Sequence, residues 1–284
     1  MRIPAIFLLF VYSAMAAETG KGVNFYSIEK EIALGRQLAI EVEKQAKIVD
    51  DPMISEYVNR LGQNLARHSD VRFPMTFKLI ESDEINAFTL PGGYIFVSSG
   101  LFKLSDNEAE LASAISHELG HSAARHATRL ASRNQIFDLS TLPLAILGGP
   151  VGVIARQVSA FAVPATMFKF SREFETEADF LGLETLWKSG YDPNASVDLF
   201  ERVESTEQRQ PGIVSRLFRS HPLTPDRLKI TQQNIDKRLA DRQEYILNTS
   251  EYESVRERLT TLLGHKKPDS EDPSRPTLMK RQTE

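Results

Sequence analysis

The chain has 284 residues, of which 41% are hydrophobic, and its 34 basic and 38 acidic side chains give a formal charge of −4. This composition excludes a wholly disordered chain, a collagen and a multi-span membrane protein, and the near balance of charges argues against a nucleic-acid binder. Because the sequence has no cysteine, disulfide scaffolds, cysteine zinc sites and thiol catalysis are also excluded.

The N-terminus has the three regions of a secretory signal peptide in order. Met1-Arg2 is positively charged, residues 3–11 are apolar, and Ala14-Met15-Ala16 is a small-residue cleavage site. The apolar run is too short to span a bilayer. We therefore expect residues 1–16 to be removed and the mature chain to work outside the cytoplasm. No cysteine follows the cleavage site, so a lipoprotein is not expected; the alternative is a buried N-terminal strand.

Two helices and a small sheet are predicted between residues 27 and 98. Apolar residues recur at helical spacing over residues 27–48, and Asp50-Asp51-Pro52 separates this helix from a second one. Residues 75–82 alternate like a strand. Residues 85–98 form another β-rich stretch, with a turn predicted at Pro91-Gly92-Gly93.

The rest of the chain is predicted to be mostly helical. These helices cover residues 106–131, 171–189, 194–207 and 224–262. From His265 onward, prolines and charges with few apolar residues predict a disordered tail over residues 265–284. The sequence therefore predicts an α+β fold, in which a mostly helical domain at residues 17–264 contains one small β-sheet.

The segment His117-Glu118-Leu119-Gly120-His121 carries the strongest chemical signal. Histidines four positions apart lie about 40° apart on one face of a helix, so both imidazoles can reach one metal ion. Glu118 lies beside them, where it can take a proton from a metal-bound water. The alternative is an accidental HExxH on a surface helix.

A catalytic zinc ion takes three protein ligands and keeps one position open. A metzincin would have Gly at position 124 and His at position 127, but both are alanine, which excludes that class. The downstream candidate is Glu175, and Asp179 shares its helix face and can accept a hydrogen bond from a ligand histidine. Alone, this acidic run would be interpreted as a solvent-facing helix surface; together with HExxH, it favours a ligand.

These motifs resemble metallopeptidase family forty-eight, which includes HtpX, the CaaX prenyl proteases and the periplasmic BepA-like proteases. The chain resembles the BepA-like branch in particular, and the resemblance covers about residues 27–235. Besides HExxH and Glu175-x-x-Ala178-Asp179, the matching segments are Ser27-Ile28-Glu29-x-Glu31-x-x-x-Gly35, Tyr57-Val58-x-x-Leu61-Gly62, Asn86 to Ile95, and His221-Pro222-x-x-x-x-Arg227.

The resemblance implies a zinc endopeptidase with a zincin-type fold in the periplasm. It implies one Zn²⁺ per chain, with Glu118 as the catalytic base and three ligands, His117, His121 and Glu175. His221 and Arg227 are candidate donors to the negative charge that develops on the attacked carbonyl. His221 has two alternatives: a fourth zinc ligand that keeps the enzyme latent, or a histidine that only packs or caps.

Substrates are implied to be unfolded or misassembled envelope proteins, and the chain is expected to contact a membrane surface or the outer-membrane assembly machinery. A peptide could add as an extra strand at a sheet edge formed by Tyr94–Ser98 or by Asn86–Leu90, although Asn86 and Phe88 also suit ordinary strand packing. One alternative is a metal-binding chaperone or assembly factor that does not need Glu118. Another is a helical envelope protein with an accidental motif.

Two further expectations concern less specific features. On a continuous helix His126 lies about 140° from His121, which predicts that it cannot join the metal-binding face. Residues 139–155 carry no charge and are too interrupted by Pro and Gly for a continuous membrane span. This stretch is predicted to form a lid, a membrane-docking segment or a buried hairpin.

Overall fold

The computed structural model describes residues 22–135, 170–209, 221 and 224–264. The predicted signal peptide, the uncharged stretch at residues 139–155 and the predicted tail lie outside these described residues. Within them, no helix combines the length and the apolar character needed to cross a membrane.

Two N-terminal helices confirm the sequence prediction. Helix α1 spans Ile28–Gln45, and Ser27 caps it by accepting a hydrogen bond from the backbone N–H of Lys30. Helix α2 spans Pro52–Arg67, and the Asp51 carboxylate accepts from the N–H of Ile54. Both caps satisfy backbone donors that have no partner in the first helical turn.

A three-stranded sheet follows in the order β1-β3-β2. Its strands are β1 (Thr76–Ile80), β2 (Ala87–Leu90) and β3 (Tyr94–Ser98). Strand β1 runs parallel to β3, whereas β2 is antiparallel to it. The predicted turn joins β2 to β3 through Gly92 and Gly93, whose φ angles of 71° and 100° suit glycine. Because β3 is central, Tyr94–Ser98 is not the sheet edge, and only the alternative stretch at Asn86–Leu90 lies there.

The remaining described elements are helical. They are α3 (Ser99–Leu104), α4 (Glu108–Ala123), α5 (residues 126–135), α6 (Arg172–Lys188), α7 (Ala195–Arg209), α8 (Pro225–Arg238) and α9 (Ser250–Gly264). The mostly helical α+β class is confirmed. Two predicted helices were too long, because residues 106–131 break after α4 and residues 224–262 divide into α8 and α9.

The main core lies between α2, the sheet, α4 and α9. Three buried aromatic rings mark its centre: Tyr57 meets Phe102 edge-on at 6.1 Å, and Phe102 stacks on Tyr252 at 5.4 Å. The Tyr252 hydroxyl donates to the Ser105 carbonyl oxygen at 2.7 Å, which satisfies its polar end. This core packs α4 against the sheet.

Helices α4 and α6 approach each other closely at two glycines. A Cβ on Gly120 would lie 2.5 Å from the Ala178 carbonyl oxygen, and a Cβ on Gly182 would lie 2.8 Å from that of Ser116. Neither position has room for a side chain. The close approach holds α6 against the part of α4 that carries the HExxH motif.

Candidate metal centre

Four side chains converge where α4 and α6 cross. One ligand atom from each of His117, His121, Glu175 and His221 lies within 4.8 Å of the other three. The Nε2 atoms of His117 and His121 are 3.1 Å apart. Glu175 Oε2 lies 3.6 Å from the first, and Glu175 Oε1 lies 3.5 Å from the second. The structure therefore brings the three predicted ligands together with His221.

The spacing of these atoms fits a tetrahedral metal ion. Bonds of about 2.0–2.1 Å place tetrahedral ligand atoms about 3.3 Å apart. His221 Nδ1 continues the pattern, at 3.4 Å from His117 Nε2 and 3.1 Å from Glu175 Oε1. Three imidazole nitrogens and a carboxylate are also ligands that suit a divalent ion such as zinc. The residues present therefore fit the group that the sequence predicts.

Glu118 lies beside the ligand set with one free oxygen. Its Oε1 is 3.5 Å from His221 Nε2. Its Oε2 is buried and has no hydrogen-bonding partner within the described chain. Burial raises the pKa of this carboxyl group, although His221 and His117 oppose the shift. A buried acceptor without a partner, next to a metal site, can receive a proton from a reacting water.

Arg227 holds two acidic side chains of α6. Its Nε and Nη2 donate to the two Asp179 oxygens at 2.8 and 2.7 Å, and Nη1 lies 2.9 Å from Glu175 Oε2. Asp179 Oδ1 lies 3.0 Å from His117 Nδ1, as expected for a carboxylate that orients a ligand histidine. We call Asp179 and Arg227 behind His117 the Asp179 chain. These contacts favour a positioning role for Arg227 over its predicted role as a donor to the oxyanion.

Burial and neighbouring charges shift the pKa values of the two HExxH histidines in opposite directions. Burial opposes the charged form of His117, but Asp179 and Glu175 outweigh it and raise its pKa to about 10. Burial dominates at His121 and holds its pKa well below the usual value. Burial also opposes ionisation of Glu175, yet His221 and His117 lower the pKa of its carboxyl group, which therefore stays ionised.

Residues 52–234 match the sequence profile of peptidase family M48. The chain belongs to this family. It is 32% identical over 210 residues to the beta-barrel assembly-enhancing protease of Escherichia coli, covering 71% of this chain and 43% of that protein. It is 34% identical over 212 residues to a putative protease of the same name from Vibrio cholerae, with the same coverage.

A mitochondrial relative of this M48 chain also matches. The metalloendopeptidase OMA1 of Schizosaccharomyces pombe is 32% identical over 178 residues, covering 61% of this chain and 50% of that protein. The chain thus spans about half or less of the length of these relatives.

His126 lies outside the converging group of this M48 site, as the sequence predicted, but its contact with His121 was not predicted. His126 Nδ1 lies 2.9 Å from His121 Nδ1, and His126 Nε2 lies 3.0 Å from Glu177 Oε2. Arg129 Nη1 also donates to Glu177 Oε2, at 2.9 Å. We call His126, Glu177 and Arg129 behind His121 the His126 chain. His126 is not among the converging ligands, but it contacts one of them from behind.

A break in the helix explains this placement. The prediction assumed a continuous helix, but α4 ends at Ala123, and Arg125 has a φ of 55°. This left-handed conformation is uncommon for a residue with a side chain. Arg125 is held in it by its Nε, which donates to Glu31 at 2.6 Å, and by its Nη2, which donates to the Tyr26 carbonyl oxygen at 2.6 Å. Contacts with distant residues decide the break, so helical periodicity could not reveal it.

A small, mainly apolar cavity adjoins Glu118. Its volume is about 50 Å³. Its polar lining comes from Ser113, His117, Glu118, His221 and Arg227, and its apolar lining from Ala87, Leu101, Ala114, Leu199, Phe200 and Val203. An apolar cavity with polar groups at one end is typical of a site that receives part of a ligand.

Proposed function

We propose that this M48 protein is a zinc-dependent endopeptidase. The observation that carries the proposal is the convergence of His117, His121 and Glu175, with the unpartnered Oε2 of Glu118 beside them. Three protein ligands and an adjacent carboxylate are what water-mediated peptide hydrolysis at zinc requires. The family match and the metalloendopeptidase relatives support it.

Each group has a defined part in this reaction. Zinc, when bound, supplies a Lewis acid that polarises the carbonyl and lowers the pKa of water towards about 7. Glu118 takes a proton from the attacking water and delivers it to the amine nitrogen that leaves. Asp179 keeps the Nδ1 proton of His117 in place, so that Nε2 presents its lone pair to the metal. Arg227 fixes Asp179 and Glu175 relative to each other.

His221 is proposed to be a fourth ligand that keeps the site closed. Its Nδ1 lies within the ligand set, whereas an oxyanion donor would point towards the substrate carbonyl. A fourth protein ligand fills the position that water needs. His221→Ala is therefore expected to raise basal cleavage without loss of zinc. A fall in cleavage would support the donor role, and unchanged cleavage and zinc affinity would leave only a packing role.

The substrate is proposed to bind along β2. This strand is the outer member of the described sheet next to α4, where Thr89 and Ser122 share a hydrogen bond of 2.7 Å between their hydroxyls. Ala87, on the same strand, lines the cavity beside Glu118. A peptide that adds to β2 through its main chain would pass Glu118 and place one small apolar side chain in the cavity.

We propose that the substrates are misassembled envelope proteins in the periplasm, which this protein reaches after export. The names of the bacterial relatives refer to β-barrel assembly, and contact with the outer-membrane assembly machinery fits the same role. The competing function is a metal-binding chaperone with little proteolysis. The unpartnered oxygen of Glu118 favours the enzyme, because a metal-binding scaffold has no use for a buried carboxylate without a partner.

Zinc content and casein cleavage by the mature chain test the proposal. We expect about one zinc ion per molecule. Glu118→Gln should keep the zinc and lose hydrolysis, because Glu118 is a base and not a ligand. His117→Ala and Glu175→Ala should lose both. Full cleavage by Glu118→Gln would refute the mechanism, and zinc binding without any wild-type cleavage would support the chaperone. Mass spectrometry of the exported protein should find Ala17 as its first residue.

A further inference from the structure

The His126 chain connects the buried ligand His121 to an ion pair at the edge of the site. Three contacts follow one another: 2.9 Å from His121 to His126, 3.0 Å from His126 to Glu177, and 2.9 Å from Glu177 to Arg129. The His121 and His126 side chains are fully buried, while Glu177 is 24% exposed. Each contact is within hydrogen-bonding distance, so the series of contacts runs without a break from His121 to Arg129.

The positions of the protons in this chain follow from its two ends. A carboxylate only accepts, so His126 Nε2 carries a hydrogen and donates it to Glu177. A neutral imidazole has one N–H, which leaves His126 Nδ1 as an acceptor. His121 Nδ1 must then be the donor, and its Nε2 keeps a free lone pair. This nitrogen is the one that faces His117, Glu175 and the proposed metal position.

We propose that His126 and Glu177 are positioning residues that fix the tautomer and the ring orientation of His121 for metal binding. The inference rests on the proposed zinc site and adds a second support to it. Arg129 fixes Glu177 at the outer end, and its guanidinium also lies 4.7 Å above the Phe174 ring. The Asp179 chain supports His117 through one carboxylate, whereas the His126 chain reaches its carboxylate through an additional imidazole.

Helix α6 supplies the carboxylate of both chains. Asp179 faces His117 and Glu177 faces His126, with the proposed ligand Glu175 on the same helix. Residues two positions apart on a helix point in nearly opposite directions, about 160° from each other. Glu177 can therefore reach behind His121 only because α5 turns back at Arg125 and brings His126 to that side.

Packing is the alternative role for His126. Its ring stacks on Phe174 at a centroid distance of 4.3 Å and an interplanar angle of 14°. If His126 only packs, its removal should lower stability and leave zinc affinity unchanged. His126→Phe keeps an aromatic ring for this stack and removes both nitrogens. A packing role and a positioning role then predict different results for zinc affinity.

Zinc affinity is measured by competition with a fluorescent chelator on the full mature chain. We expect His126→Phe to weaken zinc binding by about 10- to 100-fold, the usual cost of losing the partner of a ligand. His126→Gln should recover part of this loss, because its amide oxygen can accept from His121 and its NH₂ can donate to Glu177. Glu177→Gln should weaken binding less than His126→Phe, because the amide oxygen remains an acceptor.

A matched control lies on the same helix. Glu173→Gln makes the same chemical change at a side chain that is 74% exposed and 3.7 Å from Arg133, so its zinc affinity should equal that of the wild type. The thermal midpoint of each chelator-treated variant shows whether it is folded. If folded His126→Phe and Glu177→Gln bind zinc as tightly as the wild type, the proposal is wrong and His126 only packs.

Imidazole NMR provides a second readout that does not depend on activity. The chain has 6 histidines, so their ¹⁵N signals are few enough to assign by single substitutions. In the zinc-loaded wild type we expect His126 as the Nε2–H tautomer and His121 with a proton on Nδ1. A His126 with its proton on Nδ1 would overturn the proposal. A wild-type chain that binds no zinc would overturn the proposed function as well, which separates the two failures.

Discussion

The two HExxH histidines are chemically identical side chains with different surroundings. His117 has the Asp179 chain behind it, in which a carboxylate held by Arg227 touches the ring directly. His121 has the His126 chain behind it, in which a neutral imidazole touches the ring and the carboxylate lies one group further away. The first ring is 15% exposed and the second is fully buried.

This difference decides which histidine holds a proton. An adjacent carboxylate stabilises the imidazolium, so the pKa of His117 rises to about 10 despite burial. At His121 the Glu175 carboxylate is also close, 3.5 Å from Nε2, but burial together with the neighbouring histidines outweighs it and lowers the pKa. We therefore expect a metal ion that binds at the proposed site to displace a proton from His117 but not from His121. Equal spacing in the sequence does not give equal electrostatics.

The largest expected effect comes from the Asp179 chain. Asp179→Asn removes the charge next to His117 and leaves part of the buried Arg227 guanidinium without its partner. Removing one member of a buried ion pair typically costs about 3–5 kcal/mol of stability, and zinc affinity should fall by about 100-fold. Urea denaturation and chelator competition measure the two effects. A smaller loss of zinc affinity than in Glu177→Gln would contradict the stronger coupling of the direct chain.

An intermediate effect is expected where α4 and α6 touch, because this contact positions both chains. A methyl group at Gly182 would lie 2.8 Å from the Ser116 carbonyl oxygen, so Gly182→Ala must push the helices apart. Such overpacking costs about 1–3 kcal/mol, and zinc affinity should fall with it. Gly264→Ala is the control, since nothing lies within 4 Å of its added Cβ. Equal unfolding free energies for the two variants would show that the close approach is unimportant.

The smallest expected effect lies at the outer end of the His126 chain. Arg129→Lys keeps the charge near Glu177 but loses the planar group above Phe174. We expect a loss of about 1 kcal/mol in the free energy of unfolding and a change in zinc affinity well below tenfold. Denaturation and chelator competition again measure both. A zinc affinity as weak as that of His126→Phe would mean that Arg129, rather than the two side chains before it, dominates the chain.

Most of the elements and the proposed ligand set could be predicted from the sequence, because each depends on local pattern. Ser27 marks a helix start because its side-chain oxygen can accept an N–H of the first turn, and Asp51, in the predicted break, makes the same contact for the next helix. The HExxH spacing places two imidazoles on one helix face in any fold. Glu175 followed the same logic, since zinc needs a third ligand and an acidic helix was available downstream.

The tertiary structure alone decided what surrounds these ligands. The left-handed Arg125 depends on contacts with Glu31 and Tyr26, about a hundred residues away along the chain, and without that break His126 would face away from His121. Arg227 was a candidate oxyanion donor, and it lines the cavity beside Glu118, but only the fold shows that its guanidinium also contacts Asp179 and Glu175. Local patterns specify which face of a helix a side chain occupies, whereas the partner that it meets there depends on how distant segments pack.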